Sequence, residues 1–66
     1  MTAKVNGEAG VVPDGSTISD LLLRFGLPAK NVLVERNGEP VARDNFGCQH
    51  IQENDQIEII NMVAGG

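Results

Sequence analysis

Thr17-Ile18-Ser19-Asp20-Leu21-Leu22-Leu23-Arg24-Phe25-Gly26-Leu27-Pro28 is the stretch on which the reading of this chain turns. Ile18, Leu21, Leu22 and Phe25 fall at i, i+3, i+4 and i+7, which sets four apolar side chains on one face of a short amphipathic helix. The Thr17 hydroxyl is placed to accept a free backbone N–H of the first turn, and Asp20, three residues on, is favoured by the helix dipole. Gly26 ends the helix and Pro28 prevents its resumption. The spacing therefore predicts one helix that packs its apolar face on a sheet.

Upstream, Ala3 and Val5 alternate with Lys4 and Asn6, and Asn6-Gly7 supplies the positive φ angles of a tight hairpin turn. The return strand is expected over 9–12, stopping at the turn Pro13-Asp14-Gly15. Downstream, Val32-Leu33-Val34-Glu35-Arg36 reads as a strand, Asn37-Gly38 as a second two-residue turn, and Pro40-Val41-Ala42 as the return. Pro40 has no N–H to give to a ladder, so this return strand belongs at a sheet edge. Residues 43–53 lack a clean period and read as a loop with a short helical turn, anchored to the core by Phe46 and Ile51. Asn54-Asp55 makes a turn into a β-prone run in which Ile57 and Ile59 alternate with Gln56, Glu58 and Ile60.

The order hairpin, helix, hairpin, loop, strand predicts an α+β fold in which the first and last strands are parallel neighbours. This is ubiquitin-like, or β-grasp, architecture: a mixed sheet of about four to five strands packed on one main helix. Side-chain alternation turns Ala3, Val5, Val32, Val34, Ile57 and Ile59 inward, against Ile18, Leu21, Leu22 and Phe25. Leu33, Glu35, Glu58 and Ile60 then point outward, with Met62 continuing the row. Leu33, Ile60 and Met62 form an apolar patch on which a partner is expected to dock.

The 66 residues carry 5 Lys+Arg against 9 Asp+Glu, a net charge of −4, so the chain holds one small domain with an acidic surface. The acidity, a pI near 4.6 and the absence of Trp and Tyr argue against nucleic acid. No apolar run approaches the ~20 residues that span a bilayer, and no basic-then-apolar leader opens the chain, so a cytoplasmic protein without membrane contact is expected. Cys48 has no partner for an intrachain disulfide, and with His50 alone it falls short of a four-ligand zinc site. Cys48 and His50 also lack an orienting third group for catalysis. Gly7, Gly15, Gly26 and Gly38 each sit singly at a turn or helix end and form no phosphate-cradling loop. No bound cofactor or metal is expected.

Gly65 and Gly66 pack nothing and cap nothing. Without β-carbons, an extended Gly-Gly can thread a narrow channel and bring its α-carboxylate against a reactive phosphate or sulfur. The expected division is a β-grasp domain over 1–62 and a flexible tail over 63–66, with Val63 and Ala64 joining the partner-binding surface.

Together these features resemble the bacterial ThiS sulfur carriers of thiamine biosynthesis, a branch of the ubiquitin-like proteins. The resemblance rests on Val5-Asn6-Gly7-Glu8, on Thr17-Ile18 with Leu21-Leu22, and on Val34-Glu35-Arg36-Asn37-Gly38 with Val41-Ala42-Arg43. It continues through Asp55-Gln56-Ile57-Glu58-Ile59 and Val63-Ala64-Gly65-Gly66. Phe46, Ala42 and Asn54 depart from the residues common in that family. The resemblance implies a carrier rather than an enzyme, monomeric on its own. A ThiF-like adenylating enzyme, using its own ATP and magnesium, would activate the Gly66 carboxylate, with Gly65 as its slender neighbour. A sulfur donor system would then displace AMP to leave a thiocarboxylate, which thiazole synthase would consume. The small subunit of molybdopterin synthase, and a non-covalent ubiquitin-like interaction module, are the alternative readings.

Overall fold

The computed structural model describes residues 1–62. Both Asn-Gly dipeptides close hairpins with paired left-handed residues: Asn6 and Gly7 at φ 50° and 85°, Asn37 and Gly38 at φ 53° and 82°. The first joins β1 (Thr2–Val5) to β2 (Glu8–Val11), and the second joins β3 (Val32–Arg36) to β4 (Glu39–Pro40). The observed β2 begins and ends one residue before the expected 9–12, and β4 is shorter than Pro40-Val41-Ala42 implied. Val41 N–H still donates to the Val34 carbonyl (2.9 Å), after which the chain turns into a 3-10 helix over Arg43–Asn45.

β5 (Gln56–Asn61) lies at the centre of a five-stranded sheet of order β2-β1-β5-β3-β4. It runs parallel to β1 and antiparallel to β3, as the order of elements predicts, and Pro40 lies on an edge strand. Where the neighbouring strands stop, the turn asparagines carry the ladder further. Asn6 Oδ1 accepts from Ile59 N–H (2.8 Å), and Asn37 Oδ1 accepts from Gln56 N–H (2.9 Å).

α1 (Ile18–Phe25) starts with the capping box anticipated from Thr17 and Asp20. Asp20 N–H donates to Thr17 Oγ1 (3.2 Å), and Thr17 N–H donates to Asp20 Oδ2 (2.9 Å). The remaining free donors of the first turn find carbonyls in the irregular segment: Ile18 N–H reaches Gln49 O (3.0 Å) and Ser19 N–H reaches Phe46 O (2.9 Å). At the other end Gly26 is left-handed (φ 68°), and Leu27 N–H returns to Leu22 O (2.9 Å).

Ile18, Leu21 and Leu22 are buried with Ala3, Val32, Val34, Ile57 and Ile59; Phe46 and Ile51 join the core as expected, and Val12 is buried with them. Val5 is partly buried against it. Phe25 departs from the expectation: it is 51% exposed. The inward positions of β2 opposite Ala3 and Val5 are Gly10 and Glu8, so no bulky side chain rises from that edge to cover the ring.

Asp55, read from the sequence only as part of a turn, is a buried hub that is 4% exposed. Its carboxylate accepts from Arg36 Nε (2.6 Å), Asn37 Nδ2 (2.9 Å) and Gln52 N–H (2.8 Å). Burial pushes its pKa up, but the hydrogen bonds from Arg36, Gln52 and Asn37 and the Arg36 charge outweigh that and hold it below the usual carboxylate value. A depressed folded pKa contributes stability that is complete above the unfolded value and is lost as pH falls through the folded one. Melting temperature is therefore expected to drop as pH falls below about 4, and Asp55→Asn to flatten that acid limb. At neutral pH, Asp55→Ala should cost about 2 to 4 kcal/mol in denaturant titrations. Asn6→Gly keeps the turn but strips the acceptor from Ile59 N–H, and is expected to lose about 1 to 2 kcal/mol. Asn6→Asp retains the acceptor and should lose less in the same measurement.

Candidate functional site

Alternation along β3 and β5 presents one apolar and one charged pair on the sheet face away from α1. Leu33 stands directly opposite Ile60, and Glu35 directly opposite Glu58. Leu33, Ile60 and Met62 are each half-exposed; the register sets Leu33 beside Ile60, and Met62 follows Ile60 by two residues at the end of the strand. Met62 N–H donates to Asn31 O (2.8 Å), which ties the end of β5 to the 3-10 turn Ala29–Asn31. The patch thus lies where the chain leaves the sheet toward position 63. Val63, Ala64, Gly65 and Gly66 lie outside the described residues.

Beside the patch is a hollow of about 260 Å³, walled by Leu33, Glu35, Pro40, Val41, Arg43 and Ile60. Arg43 is held as a fixed wall: its Nε donates to Ala29 O (3.0 Å) and its Nη2 to Val32 O (3.1 Å). The 3-10 turn that carries Arg43 is positioned by the buried Phe46 immediately after it. A larger groove of about 650 Å³ opens on the helix side, between the end of α1 and the β1–β2 hairpin, with Phe25, Leu27, Val5 and Ile59 in its walls. Arg24 closes one margin by donating from Nη1 to Val11 O (3.1 Å).

Neither hollow assembles a nucleophile, a base and an orienting group. Cys48 is exposed, with Sγ 3.5 Å from Asn45 O, whereas His50 Nδ1 lies 3.2 Å from Gly15 O. The two side chains thus engage different segments. Among the described residues no group of three His, Cys, Asp or Glu side chains could hold a metal ion. Among the same residues no helix is long and apolar enough to cross a membrane.

Alternation located the apolar patch, but the direct opposition of Glu35 and Glu58 and the guanidinium wall of Arg43 went unread. The first depends on the register between strands far apart in sequence, for which hairpin signals carry no information. The second depends on the path of an irregular segment.

A family model described as the ThiS family matches residues 2–66. A protein named sulfur carrier protein ThiS, from Bacillus subtilis, is 40% identical over 53 residues, 80% of each chain. A thiazole synthase from Magnetococcus marinus is 38% identical over 66 residues; the chain spans only 20% of that protein's length. The crystal structure of a thiamine biosynthesis protein, ThiS, from Geobacter metallireducens superposes with a TM-score of 0.84 at 29% identity, covering all of both chains. With a β-grasp sheet that superposes on a ThiS structure and a family match over residues 2–66, the chain belongs to the ThiS family.

Proposed function

We propose that this chain carries sulfur for thiamine biosynthesis as a C-terminal thiocarboxylate on Gly66. The match of residues 2–66 to the ThiS family carries the reading, with support from the Bacillus subtilis relative named a sulfur carrier. A carboxylate is a poor electrophile until one oxygen is made a good leaving group. In the proposed sequence, a Gly66 carboxylate oxygen attacks the α-phosphorus of ATP held with magnesium by a ThiF-like adenylating enzyme, and pyrophosphate leaves. Sulfur delivered by a donor system then replaces AMP at the acyl carbon. The resulting thiocarboxylate is a soft nucleophile that keeps its sulfur without releasing free sulfide.

In the Magnetococcus marinus relative, a stretch similar to all 66 residues lies within a protein named thiazole synthase. That arrangement supports thiazole synthase as the recipient. Gly65 gives the reacting end the slimness that a narrow active-site channel demands, and the patch of Leu33, Ile60 and Met62 offers the body by which partners grip the carrier. In this reading the chain acts as a protein co-substrate, and its partners supply the chemistry of activation.

Incubation with the adenylating enzyme of the same organism, ATP and its sulfur donor is expected to raise the intact mass by one oxygen-to-sulfur exchange located at Gly66. Deletion of Gly66 should abolish the exchange while leaving the melting temperature unchanged. An unaltered mass with a demonstrably active enzyme would favour a non-covalent interaction module instead. Cys48→Ser is expected to load at the wild-type rate, since the thiol is exposed and engages only the Asn45 side of its own loop. Loss of loading with the fold intact would assign that thiol a covalent part.

A further inference from the structure

The end of β5 is tied down beyond its last ladder pair. Met62 N–H donates to Asn31 O (2.8 Å), one position past the Val32–Asn61 pair that ends the β3–β5 register. Gly66 lies four residues further along the chain, within about 14 Å of extended backbone. Asn31 belongs to the 3-10 turn Ala29–Asn31, none of whose residues is buried, so no apolar side chain of its own seats the turn in the core. Arg43 supplies a tie from outside. Its Nε donates to Ala29 O (3.0 Å), at the start of the turn, and its Nη2 to Val32 O (3.1 Å), just past the end of it. Val32 O faces the side of β3 that β4 covers further along, where Val41 N–H takes Val34 O (2.9 Å). The backbone swings away after Val41, and the Arg43 side chain takes the carbonyl that a longer β4 would have taken. Arg43 is itself held from the core: Phe46 N–H donates to Arg43 O (3.1 Å), and Phe46 is buried. A chain of contacts thus runs from the core through Arg43 and the turn to Met62.

We infer that Arg43 is a positioning residue for the reaction at Gly66: by clamping the turn that holds Met62, it fixes where the reacting end leaves the body. This rests on the carrier reading. Arginine suits the task, since its rigid fork donates to two carbonyls at once and keeps its charge at every working pH. A donor that is ionised also makes the stronger hydrogen bond. The consequence for the reaction is entropic. A partner that grips the body must still bring the Gly66 carboxylate against its phosphate or sulfur, and a reach of four residues leaves little slack. Without the guanidinium the turn loosens and the Met62 bond opens more often. Each residue freed at that point has to be ordered again once the body has docked, a factor of about ten for one residue. The loss falls on the step after docking, and so on kcat rather than KM.

The test compares the wild type, Arg43→Met and Arg43→Lys by two readouts. Amide hydrogen exchange of the isolated chain, followed by NMR, is expected to be about tenfold faster at Met62 in Arg43→Met, with Ile59, which donates to Asn6 Oδ1, unchanged. Steady-state loading of Gly66 is followed by intact mass with the adenylating enzyme of the same organism, ATP and its sulfur donor. There kcat is expected to fall about tenfold in Arg43→Met, with KM for the chain unchanged. Arg43→Lys keeps the charge but lacks the fork, and should recover part of both. Equal acceleration at Met62 and Ile59 would make Arg43 a general stabiliser and overturn the inference. A raised KM with Met62 protection intact would make it a partner contact and overturn the inference too, as would unchanged loading with Met62 released. Absence of loading in the wild type with an active enzyme would defeat the carrier reading and with it the role at Gly66. The Met62 exchange needs no enzyme, and decides separately whether the clamp exists.

Discussion

The parallel contact between β1 and β5 holds the rest of the molecule in place. It brings the two ends of the described chain side by side with only two registered residue pairs, Lys4 with Gln56 and Val5 with Ile57. So short a ladder leaves the Ile59 N–H beyond the reach of β1, and Asn6 Oδ1 accepts it; on the β3 side, Asn37 Oδ1 does the same for Gln56 N–H past the end of that strand. Asn6 and Asn37 thus serve two ends at once: they adopt the left-handed backbone that a two-residue turn demands, and they extend the central strand's hydrogen bonding beyond its partners. The Asp55 carboxylate draws Arg36, Asn37 and Gln52 onto the same corner. Central placement of β5 then gives the outer face its apolar patch, since Ile60 can meet Leu33 only if β5 and β3 are neighbours in this register.

The elements whose signals are local were legible in the sequence. The two Asn-Gly turns, the Thr17–Asp20 capping box, the Gly26 stop and the edge position of Pro40 each follow from backbone chemistry within a few residues. Alternation also separated the inward row of Val32 and Val34 from the outward Leu33, and so found the patch. What could not be read depends on distant segments meeting. Phe25 satisfies the helical period, yet its burial required a bulky side chain on β2, and the residues that face inward there are Gly10 and Glu8. Asp55 looks like any turn aspartate until Arg36 is brought to it by the β3–β5 register. Glu35 and Glu58 look like two solvated acids until that same register sets them face to face.

The two surfaces of the sheet therefore have different characters. The side facing α1 is spent on the core, apart from the open groove beside Phe25. Among the described residues nothing covers the opposite side, and it carries apolar area and opposed acids, with a pinned guanidinium in the adjoining hollow. For the proposed carrier, a surface that can be gripped matters more than a pocket, and a moderate apolar patch beside unbalanced charge is of that kind.

The contact between α1 and the irregular segment reaches further than its size suggests. The opening turn of α1 is closed by carbonyls of Phe46 and Gln49, from the one long segment with neither helix nor strand periodicity. A helix of eight residues has little stability alone, so its survival is bound to a loop synthesised well after it. Loosening the start of the helix takes donors from the loop, and loosening the loop takes acceptors from the helix, so these hydrogen bonds couple the two elements. A body held together in this manner resists piecemeal opening, because the free N–H groups of α1 and the carbonyls that satisfy them belong to segments distant in sequence.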